Sequence, residues 1–376
     1  MYKILVSIMA YDNGQSGISD YINNVVYQLS KTNKLDLLIL ENDLEKFPVK
    51  NENINFIKVT HKLSKPIFNM LWHLFIVPFK YDLKKYDFAF LPAGNRRLFC
   101  HYPIFTITTF HDLSQFHIAQ KYDRFRMFYI RKVIPFFLKK ANRIIAVSQA
   151  TKTDIIKFYK SDSAKITVAY NGYDKQKFNS DPSPKTRQEI LNSSKKYILY
   201  VSRIEHPGKN HLNLLKAYEL LPEAIKMEYN LVCAGGFKER SEEVLDYHKK
   251  SSDVANINFT GFFPAEDLVD LYKNASLFVM PSFYEGFGIP LVEAMACNIP
   301  VACSNRGPLP EVGGNAVSLF NPDEPKDICQ KMINLLNDFQ IREELIDNAK
   351  ARLKFFQWQL HIEKIITLYE GRDEKL

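Results

Sequence analysis

Short apolar runs alternate with longer stretches in which apolar residues recur every three or four positions. Residues 3–9, KILVSIM, form a mostly apolar run without alternation, the pattern of a strand buried on both faces. Gly14 to Gly17 make a turn, and residues 18–31 then place Ile18, Tyr21, Ile22, Val25, Val26 and Leu29 along one helical face. Further strands are expected at 35–40, 54–59, 86–91, 104–110 and 143–147. Strands that alternate with helices predict a parallel, doubly wound sheet.

The pattern breaks between 171 and 185, where the turn signal Asn171-Gly172 is followed by Asp181-Pro182-Ser183-Pro184. It then restarts, with strands expected at 197–202, 229–234, 256–260, 276–280 and 299–303. Helices are expected at 209–221, 265–274, 290–297 and 326–339. A final helix near 358–370 is apolar at Leu360, Ile362, Ile365, Ile366 and Leu368. The fold class is therefore α/β, with two similar halves. Facing one another, such halves would enclose a cleft, the commonest place for a ligand.

Composition supports a folded protein of two domains. The chain has 376 residues, 46% apolar and 24% charged, with 28 Phe and 20 Tyr. Its formal charge of +8 suits anionic partners such as nucleotide diphosphates, an anionic membrane surface or nucleic acid, and equally suits plain solubility. Five scattered cysteines without CxxC spacing read as small buried residues in a reducing cytoplasm. The opening Met-Tyr-Lys-Ile-Leu-Val-Ser-Ile is too short an apolar run for a signal peptide. The longest apolar stretch, 67–79, is interrupted by Asn69 and His73 and is about half of what a spanning helix needs, so no transmembrane segment is expected. Residues 62–85 and 121–140 mix basic and aromatic side chains, among them Lys121, Arg124, Phe125, Arg131, Phe136 and Lys140. They fit docking on anionic lipid at the inner face of the membrane, or a solvated basic face over ordinary core aromatics.

The chemistry concentrates at expected strand ends. Residues 282–296 read SFYEGFGIPLVEAMA, in which a strand passes through a glycine-containing loop into a helix with Pro290 in its first turn. The N–H groups of Gly286, Phe287, Gly288 and Ile289 are thereby set at a helix start, where free donors and the positive dipole end attract anions. Glu285 and Glu293 flank this loop and suit sugar or ribose hydroxyls; Glu293 alone would also serve as an acid in the first helical turn. Their spacing, up to roughly 12 Å along a helix, argues against a retaining hydrolase pair at roughly 5–5.5 Å. Arg203 and Lys209 follow the strand 197–202 and can neutralise a diphosphate, although each alone reads as a surface cation. Gly14-Gln15-Ser16-Gly17 is neither a GxGxxG nor a P-loop, and His111 ends a strand, where a single histidine is more often structural.

Together these segments resemble the retaining glycosyltransferases of family 4, with the GT-B fold, over nearly the whole chain. The pattern E-G-F-G-x-x-x-x-E is complete from Glu285 to Glu293. The Arg203/Lys209 spacing, Asn171-Gly172-Tyr173-Asp174, Gly261 and Pro310-Glu311-Val312 also match, with Tyr173 where Val or Ile is more usual. The resemblance implies that Glu285 contacts the donor sugar, that Glu293 holds the ribose diol, and that Arg203 and Lys209 hold the diphosphate. It implies that Gly17 approaches the phosphates, that His111 lies by the transferred sugar, and that Gly261 and Phe262 lie near the base. Residues 1–178 with 359–376 would form an acceptor-binding domain and 179–358 a nucleotide-sugar-binding domain, the last helix crossing back to the first.

The activity implied is retaining transfer of a hexosyl group, mannosyl or similar, from a nucleotide sugar to a glycan or lipid-linked acceptor in surface-polysaccharide synthesis. A sugar-nucleotide epimerase and a silent binding protein are the alternatives. No cofactor or nucleic-acid partner is expected, and no metal either, since no Asp-x-Asp element is placed at a strand end. The donor's base and sugar, the acceptor and the linkage are not legible.

Overall fold

The structure is a computed structural model and describes residues 1–14, 16–118, 124–238 and 240–372, without the side chains of 125, 265 and 266. Gln15 of the glycine turn, Lys121 and the Phe125 side chain of the basic segment, and residues 373–376 of the expected first domain lie outside the described residues. Two compact units are present, Met1–Gly172 with Gln357–Leu376, and Tyr173–Phe356. The division falls at Gly172, before the expected residue 178. Phe178 lies edge-on to Tyr272 of the second unit at 5.6 Å, and Trp358 lies against Tyr21 of the first at 5.7 Å.

The first unit holds β1 (Lys3–Ser7), β2 (Lys34–Leu40), β3 (Ile54–Val59), β4 (Phe88–Leu91), β5 (Thr106–Phe110), β6 (Arg143–Ala146) and β7 (Ile166–Val168). They pair in parallel in the order β3-β2-β1-β4-β5-β6-β7. Ile4, Leu5 and Val6 on successive positions of β1 are all buried, which is why its sequence runs apolar without alternation. The helix Gly17–Ser30 follows β1, and the last helix, Trp358–Glu370, places Ile365 and Tyr369 in the same core.

The second unit repeats the plan with β8 (Lys196–Val201), β9 (Tyr229–Ala234), β10 (Ile257–Gly261), β11 (Leu277–Met280), β12 (Val301–Ser304) and β13 (Ser318–Phe320). Their order is β10-β9-β8-β11-β12-β13, again all parallel. A parallel sheet brings every strand's carboxyl end to one edge, so the loops after β8, β10 and β11 gather there. Three-residue β7 and β13 were not anticipated, nor were the helices Gln149–Tyr159, Ser241–Lys250 and Phe339–Arg352. Among the described residues, no helix is long and apolar enough to cross a membrane.

Candidate functional site

The loop after β8 carries Lys209, and the loop after β11 carries Glu285. Lys209 Nζ donates to Glu285 Oε1 at 2.7 Å, with the two side chains 16% and 12% exposed. Hydrogen bonds made by Tyr200, Asn210 and Phe283 hold the loops together behind this ion pair. Tyr200, at the end of β8, donates its hydroxyl to Lys209 O at 2.9 Å and lies 2.9 Å from Ser282 Oγ. A carbonyl only accepts, so Ser282 must donate to Tyr200. Asn210 Nδ2 donates to Pro281 O at 3.0 Å and Pro322 O at 2.7 Å, and Phe283 N donates to Gly208 O at 3.0 Å. Burial, and secondarily the Glu285 charge, push the Tyr200 phenol well above its ordinary value. Arg203 does not join the Lys209–Glu285 pair: half-exposed, it meets Glu205 Oε2 at 3.2 Å.

Beyond Glu285 the chain enters the helix Ile289–Ala296. Gly288 precedes it at φ 100°, which L residues rarely adopt, and a Cβ there would sit 2.8 Å from Leu309 Cδ2. Pro290 lies in the first turn, and Leu291 and Val292 donate back to Gly288 O. The N–H groups of Gly288 and Ile289 have no acceptor among the described residues, which suits an anion at this helix start. The Phe287 ring is buried edge-on to Phe356 at 5.6 Å, so it points away from solvent.

Glu293 is corrected in one respect. It is the fifth residue of its helix, and no acid occupies the first turn. The dipole explanation for it therefore weakens. Tyr272, fully buried, donates its hydroxyl to Glu293 Oε2 at 3.0 Å and fixes the carboxylate's direction. Burial and the Glu293 charge raise the Tyr272 phenol well above its usual range. At the end of β10, Gly261 has φ 67° and its carbonyl accepts from Gly235 N at 3.0 Å. Phe262 beside it is 82% exposed, and Phe237, close to Gly261, is 46% exposed.

Gly17 and His111 belong to the first unit. Gly17 opens its helix, Ser16 Oγ accepts from Ser19 N, and a Cβ at Gly17 would meet nothing within 4 Å among the described residues. His111 Nε2 lies 2.7 Å from Pro92 O. The carbonyl demands a donor, so Nε2 carries the proton and Nδ1 the lone pair. Burial lowers the His111 pKa to about 4 and keeps the ring neutral. Its ring packs edge-on to Tyr21 at 4.5 Å. Tyr21 is itself fixed by Thr109 Oγ1 at 2.9 Å and by His361 Nε2 of the last helix at 2.7 Å. Tyr200, Asn210, Tyr272, Tyr21 and His361 were missed in the sequence. They act by buried contacts across long separations, and no local signal marks them.

Residues 183–352 match the model for glycosyl transferases group 1, and residues 16–177 match that for glycosyltransferase family 4. Over 272 residues the chain is 34% identical to O-antigen chain mannosyltransferase B of Escherichia coli, with 70% of each chain covered. The chain belongs to the family 4, group 1 glycosyltransferases. A sucrose-phosphate synthase from Thermosynechococcus elongatus superposes with a TM-score of 0.78 at 18% identity, over 99% of both chains. HepE of Anabaena, in complex with UDP and glucose, gives 0.73 at 18% identity over 99% of this chain and 100% of that one. These likenesses show the GT-B fold. In this glycosyltransferase, the loop after β8 and the Glu285–Glu293 segment share the carboxyl edge of the second unit's sheet.

Proposed function

We propose that this glycosyltransferase moves a hexosyl residue, mannosyl for preference, from a nucleotide sugar to a glycan or lipid-linked acceptor of a surface polysaccharide. The Lys209–Glu285 pair beside the Gly288 helix start carries the reading. It sets a cation, an anion site and a hydroxyl acceptor at one sheet edge, the parts a sugar diphosphate needs. Glu285 takes donor-sugar hydroxyls and Glu293, steered by Tyr272, takes the ribose diol. Gly261, Phe262 and the neighbouring Phe237 flank the base. Lys209, Arg203 and the N–H groups of Gly286 to Ile289 take the charge that builds on the leaving diphosphate. This arrangement supplies the stabilisation without a metal ion. The configuration is retained by attack on the leaving-group face, with the acceptor proton passing to the departing phosphate. The lone-pair Nδ1 of His111 suits a contact with the transferred sugar, and the open space at Gly17 suits a phosphate. The mannosyl preference follows the name of the E. coli relative. The test pairs a thermal-shift screen of GDP, UDP and dTDP with transfer assays on lipid-linked acceptors. Stabilisation by one nucleotide and acceptor-dependent release of it are expected; neither on a broad panel would refute the reading. Conversion of the donor without acceptor would favour an epimerase.

The protein is further proposed to dock on anionic membrane through its first unit. Phe68, Phe75 and Phe79 are exposed at 56%, 46% and 68%, and Phe136 at 60%. Phe75 meets Phe137 edge-on at 6.1 Å, joining the two aromatic segments, and Lys140 sits 5.0 Å from the Phe136 ring. Co-sedimentation with phosphatidylglycerol vesicles, reversed by salt and absent with phosphatidylcholine, is expected. Equal binding to both vesicle types would count against it.

A further inference from the structure

The first unit's sheet carries, at its switch point, a buried positive charge that has no carboxylate partner among the described residues. In the order β3-β2-β1-β4-β5-β6-β7 the winding reverses between β1 and β4. Open parallel sheets bind ligands at the carboxyl ends of the strands at such a point. Arg97 lies on the turn after β4 and is 7% exposed. Its Nη2 donates to Met9 O, in the loop after β1, at 3.4 Å, and its Nη1 donates to Arg96 O at 2.9 Å. The guanidinium therefore spans the two strand ends that border the switch point.

Its Nε is buried without a hydrogen-bond partner, and no carboxylate among the described residues forms an ion pair with it. Burial and the like charge of Arg96 lower its pKa to about 10, so it remains a cation at neutral pH. Arg96, half-buried beside it, also has no ion pair among the described residues. Asn69, 1% exposed, donates Nδ2 to the same Met9 O at 3.3 Å, while its Oδ1 is buried without a partner. Asn95 Oδ1, in the arginine turn, is likewise unpartnered. Buried cations are ordinarily paired, because an uncompensated charge in a low dielectric is costly.

We propose that Arg96 and Arg97 bind a phosphoryl group, phosphate or diphosphate, carried by the acceptor, with Asn69 and Asn95 accepting from adjoining hydroxyls. This rests on the transferase reading above and extends it to the acceptor. Two adjacent cations match the double charge of a phosphoryl group, and the guanidinium fork fits its oxygens.

The probe is inorganic pyrophosphate, added to protein already saturated with whichever nucleoside diphosphate stabilises it. A second, salt-sensitive rise in the thermal midpoint is expected. Arg97→Met and Arg96→Ala should abolish that second rise while the nucleotide's own shift persists. Arg96→Ala, at a half-buried position, carries the test if Arg97→Met does not fold. Geranyl diphosphate should give the same second rise, which assigns the phosphoryl group to an acceptor rather than to free pyrophosphate. In transfer assays, both variants should raise acceptor KM at least tenfold with donor KM unchanged. A second rise retained in Arg96→Ala, or one given by pyrophosphate but not by geranyl diphosphate, would overturn the proposal. A missing nucleotide shift would instead count against the transferase reading alone.

Discussion

At the residue scale, the Lys209–Glu285 pair ties stability to activity. Lys209→Met leaves Glu285, 12% exposed, without its counter-charge. It should cost about 1–2 kcal/mol of stability, less than a fully buried pair would. Adding Glu285→Gln should recover the thermal midpoint but not the rate, and the rate of Lys209→Met should fall about a hundredfold. A double variant as unstable as the single would contradict the pairing. Glu293 makes a second case. Tyr272→Phe removes the donor at 3.0 Å from its carboxylate and should weaken nucleotide binding roughly tenfold, on the scale of one hydrogen bond to a charged group. Calorimetric titration with the stabilising nucleotide measures this, and Glu293→Ala should do the same or more. Arg203→Ala should slow transfer more than roughly tenfold. Glu285 and Glu293 were legible because motif and helix start coincide in the sequence. Tyr272 was not, since it lies on a different helix and its spacing is that of ordinary core.

At the scale of elements, legibility followed length and periodicity. The six-residue strand β3, apolar at Ile54, Phe56, Ile57 and Val59, fell where expected. β7 and β13, three residues each, exist because they extend a sheet already formed and carry little signal of their own. The helix Phe339–Arg352 buries only Ala349, so its sequence lacks an apolar stripe. The turns between elements carry stricter demands. At Gly235, φ is 151° and a Cβ would lie 1.9 Å from Ser202 O, a backbone atom at the end of β8. Gly288 combines positive φ with the nearby Leu309 side chain, which can yield. Gly288→Ala should therefore cost about 1–3 kcal/mol by chemical denaturation, and Gly235→Ala more. An unchanged midpoint in either would show that the loop relaxes.

At the scale of the whole molecule, buried neutral histidines set the response to acid. His73, His211 and His361 are at most 1% exposed. Burial lowers their pKa values to about 3, 3 and 4 from 6.5. Below 6.5 the unfolded chain binds protons that the folded chain refuses, so the contribution is complete above that pH and is lost on acidification. By pH 5 each should have lost about 2 kcal/mol. The thermal midpoint should fall between pH 7 and 5, and His361→Gln should flatten the fall; a flat wild-type profile would contradict it. The sequence by itself determined the two α/β halves, the strand ends and the E-G-F-G-x-x-x-x-E segment at a helix start, because buried strands, glycine turns and helix starts leave local patterns. Only the tertiary structure decided which partners hold the site. Lys209 meets Glu285 across 76 residues, and Tyr21 meets His361 across 340. The first pairing comes from parallel strands delivering distant loops to one edge and the second from the last helix packing on the helix Gly17–Ser30, and no local pattern records either.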